Sequence, residues 1–248
     1  QEITAKQVKD ALRDDTILVS TMYVNNETGT ILPITEIGEV VRNHSAVYHV
    51  DAVQAVGKIT IKPEELGIDF LSASGHKFHG PKGVGFLYAS TMDFDSYIHG
   101  GDQEYKKRAG TENLPAIVGM VAAFKEELSK QTENYQTVQR LQDLFLTKIS
   151  SLNYYINHGK EQLPYVLNLG FPGQKNDLLL LRMDLAGISI STGSACTAGI
   201  VQTSHVLKAF YGNGSHRLHE SVRISLSPQN TDEEIIQLVN TLKEIIGD

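Results

Sequence analysis

The sequence predicts an α/β protein in which a large domain, built on a mostly parallel sheet, precedes a smaller α+β domain. Three observations support this fold class. Short apolar runs alternate with amphipathic segments through the first half of the chain, as in parallel strands joined by helices. The 248 residues suffice for one large domain or two small ones. Polar and glycine-rich segments follow the predicted strands, where such sheets bind their ligands.

The first predicted domain covers residues 1–125, part of the large domain. Apolar content and length predict a helix over 1–15, strands over 16–24, 47–50, 69–73 and 85–89, and a helix over 35–44. Asn113 as a cap and Pro115 in the first turn mark the start of a long helix.

The second predicted domain covers residues 126–248 and follows a second helical stretch over 135–152. Its remaining predicted elements are strands over 154–157, 166–169, 188–191 and 222–226, with helices over 176–185 and 202–210 and a final helix. Thr231–Glu234 is a capping-box start for that final helix.

Composition indicates a soluble globular protein. Hydrophobic residues make up 41% and charged residues 21% of the chain, and no apolar run approaches the ~20 residues that span a bilayer. The net charge of −7 and the lack of a basic cluster argue against nucleic-acid binding. A single cysteine makes neither an internal disulfide nor a multi-cysteine zinc site, and it fits a reducing, cytoplasmic compartment.

That cysteine, Cys196, lies in the run Ser191–Gly199, among glycine, serine, alanine and threonine. A structural cysteine usually packs among bulky apolar neighbours, because a free thiol behaves as a small hydrophobe. The surroundings of Cys196 therefore indicate a thiol presented for chemistry.

The segment richest in chemical groups is Ser72–Gly85, where hydroxyl, imidazole and ammonium groups alternate with glycines after a strand. Lys77 is placed to form a Schiff base with a carbonyl cofactor, and Ser74 and His76 to hold a phosphate beside it. The alternative is a glycine-rich turn with solvated lysines. The segment is not a P-loop, because it lacks the Gly-Lys-Ser/Thr end.

Asp51 stands at the carboxyl end of another predicted strand. A carboxylate there can pair with the protonated pyridine nitrogen of pyridoxal phosphate, and Gln54, one turn further, can donate to the phenolic oxygen of the ring. The alternative is an ordinary helix N-cap. The presence of Lys77 after the next strand favours the cofactor.

Three further segments carry polar groups at places typical of binding sites. Asn25–Gly29 offers two adjacent amides, although an ordinary turn uses the same residue types. Arg108–Asn113 precedes a helix and suits either an anion site or an N-cap. Arg223 lies inside an apolar strand, where its charge needs a partner, either an internal carboxylate or the carboxylate of an amino-acid substrate.

The histidines do not predict a metal site. No pair has metalloprotease spacing with a glutamate between. The residues considered are His76, His79, His99, His205, His216 and His219.

Five strings in order resemble the cysteine desulfurases of the NifS/IscS type, within the class V aminotransferase group of pyridoxal-phosphate enzymes. Their order and spacing match over essentially the whole chain, and the resemblance implies an aspartate aminotransferase-like fold. The strings are Val24–Gly29, His49–Gln54, Ser74–Lys77 with Gly80–Gly83, Arg108–Thr111 and Ser191–Thr197.

The resemblance implies a role for each residue that matches on the cofactor side. Lys77 would form the Schiff base with pyridoxal 5'-phosphate and later act on the substrate proton. Asp51 would bind the pyridine nitrogen and Gln54 the phenolic oxygen. Ser74 and His76 would hold the phosphate.

It implies further roles in binding and sulfur transfer. Thr111 of the partner subunit of a homodimer would complete the phosphate site. Asn26 would contact the cofactor and, with Arg223, bind the substrate carboxylate. Cys196 would accept the sulfur.

The chain departs from the family pattern at its start. Family members normally carry an N-terminal portion, roughly the first third of the enzyme, with a threonine-rich phosphate-binding helix start and a histidine that stacks on the cofactor ring. Neither has a counterpart before Thr16. We therefore expect a truncated family member, a fragment or one piece of a split protein.

The implied activity is cysteine desulfuration, which gives L-alanine and an enzyme persulfide on Cys196. The sulfur would pass to an acceptor or scaffold protein, for iron–sulfur cluster assembly or another sulfur compound. A free thiol has a pKa of about 8.5, so Cys196 needs a proton acceptor, and His76 and His99 are both candidates.

Two alternatives stay open at this point. Another pyridoxal-phosphate lyase or aminotransferase of the same fold would not need Cys196. A catalytically incomplete fragment would act only as a dimerisation or sulfur-partner-binding module.

Overall fold

The computed structural model describes residues 3–193 and 203–247. Contacts group the chain into two compact units. We call the first the sheet unit, which comprises Ile3–Tyr23 and Pro33–Gln131. We call the second the C-terminal unit, which comprises Val24–Leu32 and the described residues of Thr132–Asp248. The division into domains at residues 125 and 126 stays a prediction.

The sheet unit contains the predicted strands and helices of the first half. The helix predicted over 1–15 is shorter, because a capping box between Thr4 and Gln7 starts it and Leu12 is extended. The elements are α1 (Ala5–Ala11), β1 (Leu18–Met22), α2 (Ile34–Arg42), β2 (Val47–Asp51), β3 (Phe70–Ser74), a 3₁₀ helix (Gly75–Phe78), β4 (Gly85–Ala89), α3 (Gln103–Lys106) and the first part of α4 (Leu114–Lys148).

The sheet of this unit is mostly parallel, as the alternating pattern predicts. Its strand order is β1-β2-β3-β4; the first three strands are parallel and β4 is antiparallel to β3. The register places Met22 beside Asp51, and Asp51 beside Ser72. The carboxyl ends of the three parallel strands therefore lie along one edge.

The two faces of this sheet differ in chemistry. Because side chains alternate along a strand, Tyr48, Val50 and Leu71 share one face, where all three are buried. Helix α2 adds Ile37 and Val41 to the buried apolar core. The opposite face mixes polar side chains with apolar ones, among them Met22 and Phe70, and its residues are half-buried or exposed.

The C-terminal unit is built on a three-stranded antiparallel sheet of order β5-β6-β7. Strand β6 is buried along its whole length. The elements are β5 (Tyr155–Ile156), β6 (Val166–Gly170), α5 (Asn176–Leu185), α6 (His205–Tyr211), α7 (Arg217–Glu220), β7 (Ser221–Ser225) and α8 (Asp232–Ile246).

Two predictions for the second half are wrong in extent. The two helical stretches predicted before and after residue 130 form one 35-residue helix, α4. The polar run Ser129–Asn134 between them contains neither glycine nor proline, so nothing interrupts the backbone hydrogen bonds. The strand predicted over 188–191 is reduced to a single bridge between Ser191 and Arg223.

None of the described helices, α4 included, combines the length and the apolar character needed to cross a membrane.

The predicted capping box of the last helix is confirmed. The Thr231 hydroxyl accepts a hydrogen bond from the backbone of Glu234, whose side chain accepts one from the backbone of Thr231. The helix then buries Ile235, Val239 and Leu242.

Gly85 provides a test of the close packing between β3 and β4. A β-carbon there would lie 2.4 Å from the carbonyl oxygen of Ala73. We expect Gly85→Ala to lower the free energy of unfolding by about 1–3 kcal/mol, because the paired strands β3 and β4 must separate. Chemical denaturation measures the change. Gly214→Ala is the control, since no atom lies within 4 Å of its β-carbon position; an equal loss in both variants would contradict the steric explanation.

Candidate cofactor and substrate site

Asp51 ends β2 at the carboxyl edge of the sheet. Its Oδ1 accepts a hydrogen bond from the backbone of Val53 at 2.9 Å. This contact lies in a turn and not at the start of a helix, so Asp51 is not the helix N-cap that the sequence left open. Its Oδ2 has no hydrogen-bond donor among the residues that the structure describes. One carboxylate oxygen therefore fixes the turn, and the other is left to accept from a bound group.

Ser74, His76 and Lys77 follow directly at the end of β3. Ser74 is the last residue of the strand, and the 3₁₀ helix begins after it. The Ser74 hydroxyl and His76 Nδ1 lie 2.8 Å apart. Lys77 is half-buried one residue further. The tight 3₁₀ turn thus places a hydroxyl, an imidazole and an ammonium group within four residues of one strand end.

His79 ends this turn in the left-handed backbone region, with φ of 66°. Its Nε2 lies 3.5 Å from Glu127 Oε1 of α4. The end of the turn is therefore held to the long helix by an imidazole–carboxylate contact.

His49, which the sequence did not mark as a site residue, lies on the same sheet face as Asp51. Its Nδ1 is 2.8 Å from the Ser20 hydroxyl and its Nε2 is 3.1 Å from the Ser72 hydroxyl. The ring thus bridges β1 and β3 beneath the strand ends. A histidine two residues before an aspartate at a strand end was the available signal, because alternate residues share a face.

The sequence also did not mark Lys58 as a site residue. It is half-buried, and its Nζ lies 3.5 Å from Gln54 Oε1. Burial away from water and the positive charge of Lys77 lower the pKa of Lys58 to about 8, while the charge of Glu127 acts in the opposite direction. The predicted cofactor residue Gln54 therefore has a cationic neighbour.

Thr111 lies in the segment that leads into α4. It is exposed, in a stretch without helix or strand. The following Asn113 accepts a hydrogen bond from the backbone of Ala116 at 3.3 Å, as expected for the residue that caps α4. The predicted anion-binding role of Thr111 stays a prediction.

In the C-terminal unit, Asn25 organises the loop predicted to bind substrate. Its side-chain oxygen accepts hydrogen bonds from the backbones of Glu27 at 2.9 Å and Thr28 at 3.0 Å. Gly29 has φ of +71°, and a β-carbon there would lie 2.6 Å from the carbonyl oxygen of Val166. Of the two adjacent amides, Asn25 therefore builds the turn.

Asn26 is half-buried in this loop and lies next to Arg223 of β7. Arg223 donates from one terminal nitrogen to the backbone carbonyl of Asn26 at 3.0 Å. The two predicted substrate residues are thus in direct contact. The Arg223 backbone pairs with Asn168 of β6 and with Ser191, so the arginine sits between two neighbouring chain segments.

The sequence predicted Cys196 as the sulfur acceptor and His99 as one candidate for accepting its proton. Cys196 lies in residues 194–202, outside the described residues. His99, a candidate proton acceptor, is exposed in the segment between β4 and α3.

The donors of the sheet unit fit a pyridine ring with an aldehyde and a phosphate. Asp51 retains an acceptor oxygen, Lys77 offers an amine, and Ser74 with His76 offers hydrogen-bond donors beside it. This set matches what pyridoxal phosphate requires of a protein. Among residues 3–193 and 203–247, no group of three or more histidine, aspartate or glutamate side chains is arranged to hold a metal ion.

The aminotransferase class-V family model matches residues 1–238. The chain belongs to the class V aminotransferase family. Enzymes of this family depend on pyridoxal phosphate, in agreement with the donor set of the sheet unit.

Individual relatives are cysteine desulfurases by name. The chain is 47% identical over 248 residues to "Putative cysteine desulfurase IscS 1" of Bacillus subtilis (strain 168), covering 98% of this chain and 65% of that protein. A solved "NIFS-LIKE PROTEIN" superposes with a TM-score of 0.89 at 33% identity, over 99% of this chain and 65% of that one. The structure "SspA in complex with cysteine" gives a TM-score of 0.77 at 34% identity, over 92% and 64%.

These matches confirm the predicted family and the predicted pyridoxal-phosphate enzyme fold. This class V aminotransferase chain spans about 65% of the length of the first relative that it matches.

Lys58 gives the pH test of this site. Its pKa falls from the ordinary lysine value of 10.5 to about 8 in the folded chain, so the folded state binds the proton more weakly than the unfolded state. The resulting cost to stability is complete below about pH 8 and disappears as the pH rises towards about 10.5.

We therefore expect Lys58→Met to raise the free energy of unfolding by about 1–2 kcal/mol at pH 7. The difference from the wild type should shrink as the pH rises from about 8 to 10. Denaturant unfolding of both proteins across this range provides the measurement, with the exposed Lys82→Met as control. A gap that widens with pH would have the wrong sign for a lysine of lowered pKa.

Proposed function

We propose that this class V aminotransferase chain carries the catalytic residues of a cysteine desulfurase, which takes sulfur from L-cysteine and releases L-alanine. One observation carries the proposal: Asp51, Ser74, His76 and Lys77 lie along one edge of a parallel sheet. The names of the relatives support the choice of reaction within the family.

Pyridoxal phosphate, when bound, supplies an aldehyde for imine formation and a ring that accepts an electron pair from the substrate carbon. Lys77 would hold the aldehyde carbon, and its freed amine would remove the proton from the substrate α-carbon. Asp51 would keep the pyridine nitrogen protonated through its Oδ2. Ser74 and His76 would bind the phosphate, and Gln54 the phenolic oxygen.

Asn26 and Arg223 would bind the carboxylate of the substrate. Arg223 already holds the backbone of Asn26 through one terminal nitrogen, so the two residues are neighbours. An arginine fork is well suited to a carboxylate because it donates two parallel hydrogen bonds. The similar structure "SspA in complex with cysteine" supports cysteine as the substrate.

Cys196 would accept the sulfur. Its thiolate attacks the sulfur atom of the substrate, a sulfur–sulfur bond forms, and the carbon–sulfur bond breaks. The electron pair of the broken bond remains with the substrate carbon. This carbon is then protonated, and the product leaves as alanine. His76 or His99 would take the thiol proton.

We further infer a homodimer. The sulfur would pass to a sulfur-acceptor or scaffold protein, for iron–sulfur cluster or other sulfur-compound assembly. The protein would act in the cytoplasm. The exposure of Thr111 supports the homodimer, because Thr111 of the partner subunit would then be free to complete the phosphate site. The single cysteine supports the cytoplasmic setting, since it fits a reducing compartment.

Replacing Lys77 tests the cofactor site. We expect Lys77→Ala to abolish the visible absorbance of the protein after incubation with pyridoxal phosphate and gel filtration, because the covalent link is lost. Lys82→Ala removes an exposed lysine from the same segment and should keep the absorbance. Equal absorbance in the two variants would remove Lys77 from the cofactor site.

Replacing Cys196 tests the reaction. Cys196→Ser should keep the cofactor absorbance, while persulfide formation and alanine release from L-cysteine fall by at least about 10³-fold, because serine cannot accept sulfur. Alanine analysis and persulfide labelling measure the two products.

Undiminished alanine release from Cys196→Ser would point instead to another lyase or aminotransferase of the same family. A wild-type protein that binds no cofactor would point to a dimerisation or partner-binding module.

A further inference from the structure

Glu27 carries a carboxylate that the proposed reaction does not use. Its residue is 1% exposed in the C-terminal unit. A buried carboxylate is costly unless hydrogen bonds or a cation compensate for lost water. The Glu27 carboxylate therefore needs compensating contacts, and these contacts indicate its role.

The carboxylate is bound by a hydroxyl far away in the sequence. Ser204 Oγ donates to Glu27 Oε2. The same Ser204 oxygen accepts a hydrogen bond from the backbone of Leu207 at 3.0 Å and is the N-cap of α6. Glu27 thus fixes the residue at which α6 begins.

Gly193 lies beside the same two residues. A β-carbon built on it would be 3.6 Å from Glu27 Oε2 and 3.6 Å from Ser204 Cβ. Gly193 and Thr203 are the described residues on either side of the stretch that contains Cys196. Gly193 and Ser204, which precede and follow the stretch that contains Cys196, therefore both lie next to the Glu27 carboxylate.

Glu27 is also joined to the predicted substrate loop. Asn168 of β6 donates to its backbone carbonyl at 3.1 Å, and Arg223 donates to the carbonyl of the preceding Asn26 at 3.0 Å. Strand residues thus hold the backbone of the loop, while the Glu27 side chain reaches Ser204.

We propose that Glu27 is a positioning residue that ties the segment carrying Cys196, through Ser204, to the loop that holds Asn26. The inference rests on the proposed function only in taking Cys196 as the sulfur acceptor and Asn26 as a substrate ligand. Its physical content is that one buried carboxylate holds Ser204, which follows the stretch that contains Cys196, against the loop of Asn26.

The expected consequence is specific to one step. Loss of the contact leaves Asn26 and Arg223 in place, because β6 and β7 hold them independently. Cofactor and cysteine binding should be retained, while sulfur transfer to Cys196 slows.

The single cysteine of the chain allows a direct test, because a nitroxide spin label reacts at Cys196 alone. In electron paramagnetic resonance spectra, Glu27→Gln and Ser204→Ala should each show faster label motion than the wild type. Ser204→Thr keeps the hydroxyl and should restore the wild-type spectrum. Glu233→Gln changes an exposed glutamate of α8 and should have no effect.

In the unlabelled protein with pyridoxal phosphate, the same two variants should lower kcat for alanine formation by about tenfold, the order expected for one charge-assisted hydrogen bond. KM for L-cysteine should stay within about twofold, and the cofactor absorbance should not change. Circular dichroism and thermal unfolding establish that each variant is folded.

Unchanged label motion in folded Glu27→Gln and Ser204→Ala would overturn the proposal, as would an unchanged kcat in both. The proposed function fails differently: the wild type would then form no persulfide on Cys196, whatever the spin label reports.

Discussion

The parallel register of β1, β2 and β3 is the constraint on which the cofactor side of the molecule depends. Parallel strands point their carboxyl ends in the same direction, and here the hydrogen-bonded register pairs Met22 with Asp51 and Asp51 with Ser72. The carboxylate of one strand and the Ser74–Lys77 turn of the next are thereby adjacent without any direct bond between them. His49 bridges Ser20 and Ser72 across the same face, so side chains reinforce the alignment that the backbone sets.

The C-terminal unit solves a different problem, which is to bury polar groups without leaving them unsatisfied. Asn157 donates to Asn168 and Ser221 at 2.8 Å and accepts from Arg217 at 2.8 Å. Asn168 continues the network to the backbone of Glu27. Such a connected network favours a single arrangement, because moving any one member breaks several hydrogen bonds. The loop that contains Asn26 and Glu27 and the strand β7 consequently share one hydrogen-bonded framework.

Much of the fold and of the candidate site could be predicted because the signals are local. Alternating apolar runs gave the strands, Thr231–Glu234 gave the start of α8, and the order of five short strings gave the family. The failures were also physical. Two helical stretches were predicted around residue 130, yet the polar run Ser129–Asn134 between them contains no glycine or proline, so one helix continues through it. The alternating isoleucine–serine segment over 188–191 predicted a strand, yet only Ser191 pairs with another segment, because a strand forms only where a neighbouring strand offers its hydrogen bonds.

The sequence by itself determined which groups are present: a lysine, an aspartate and a serine–histidine pair after strands, an arginine inside a strand, and one cysteine among small residues. Only the tertiary structure decided what these groups contact. Burial and a nearby lysine lower the pKa of Lys58, Arg223 holds the backbone of Asn26, and Glu27 binds Ser204 across 177 residues of sequence. Such effects depend on burial and on distances between remote segments, and neither quantity is carried by the spacing of residues along the chain.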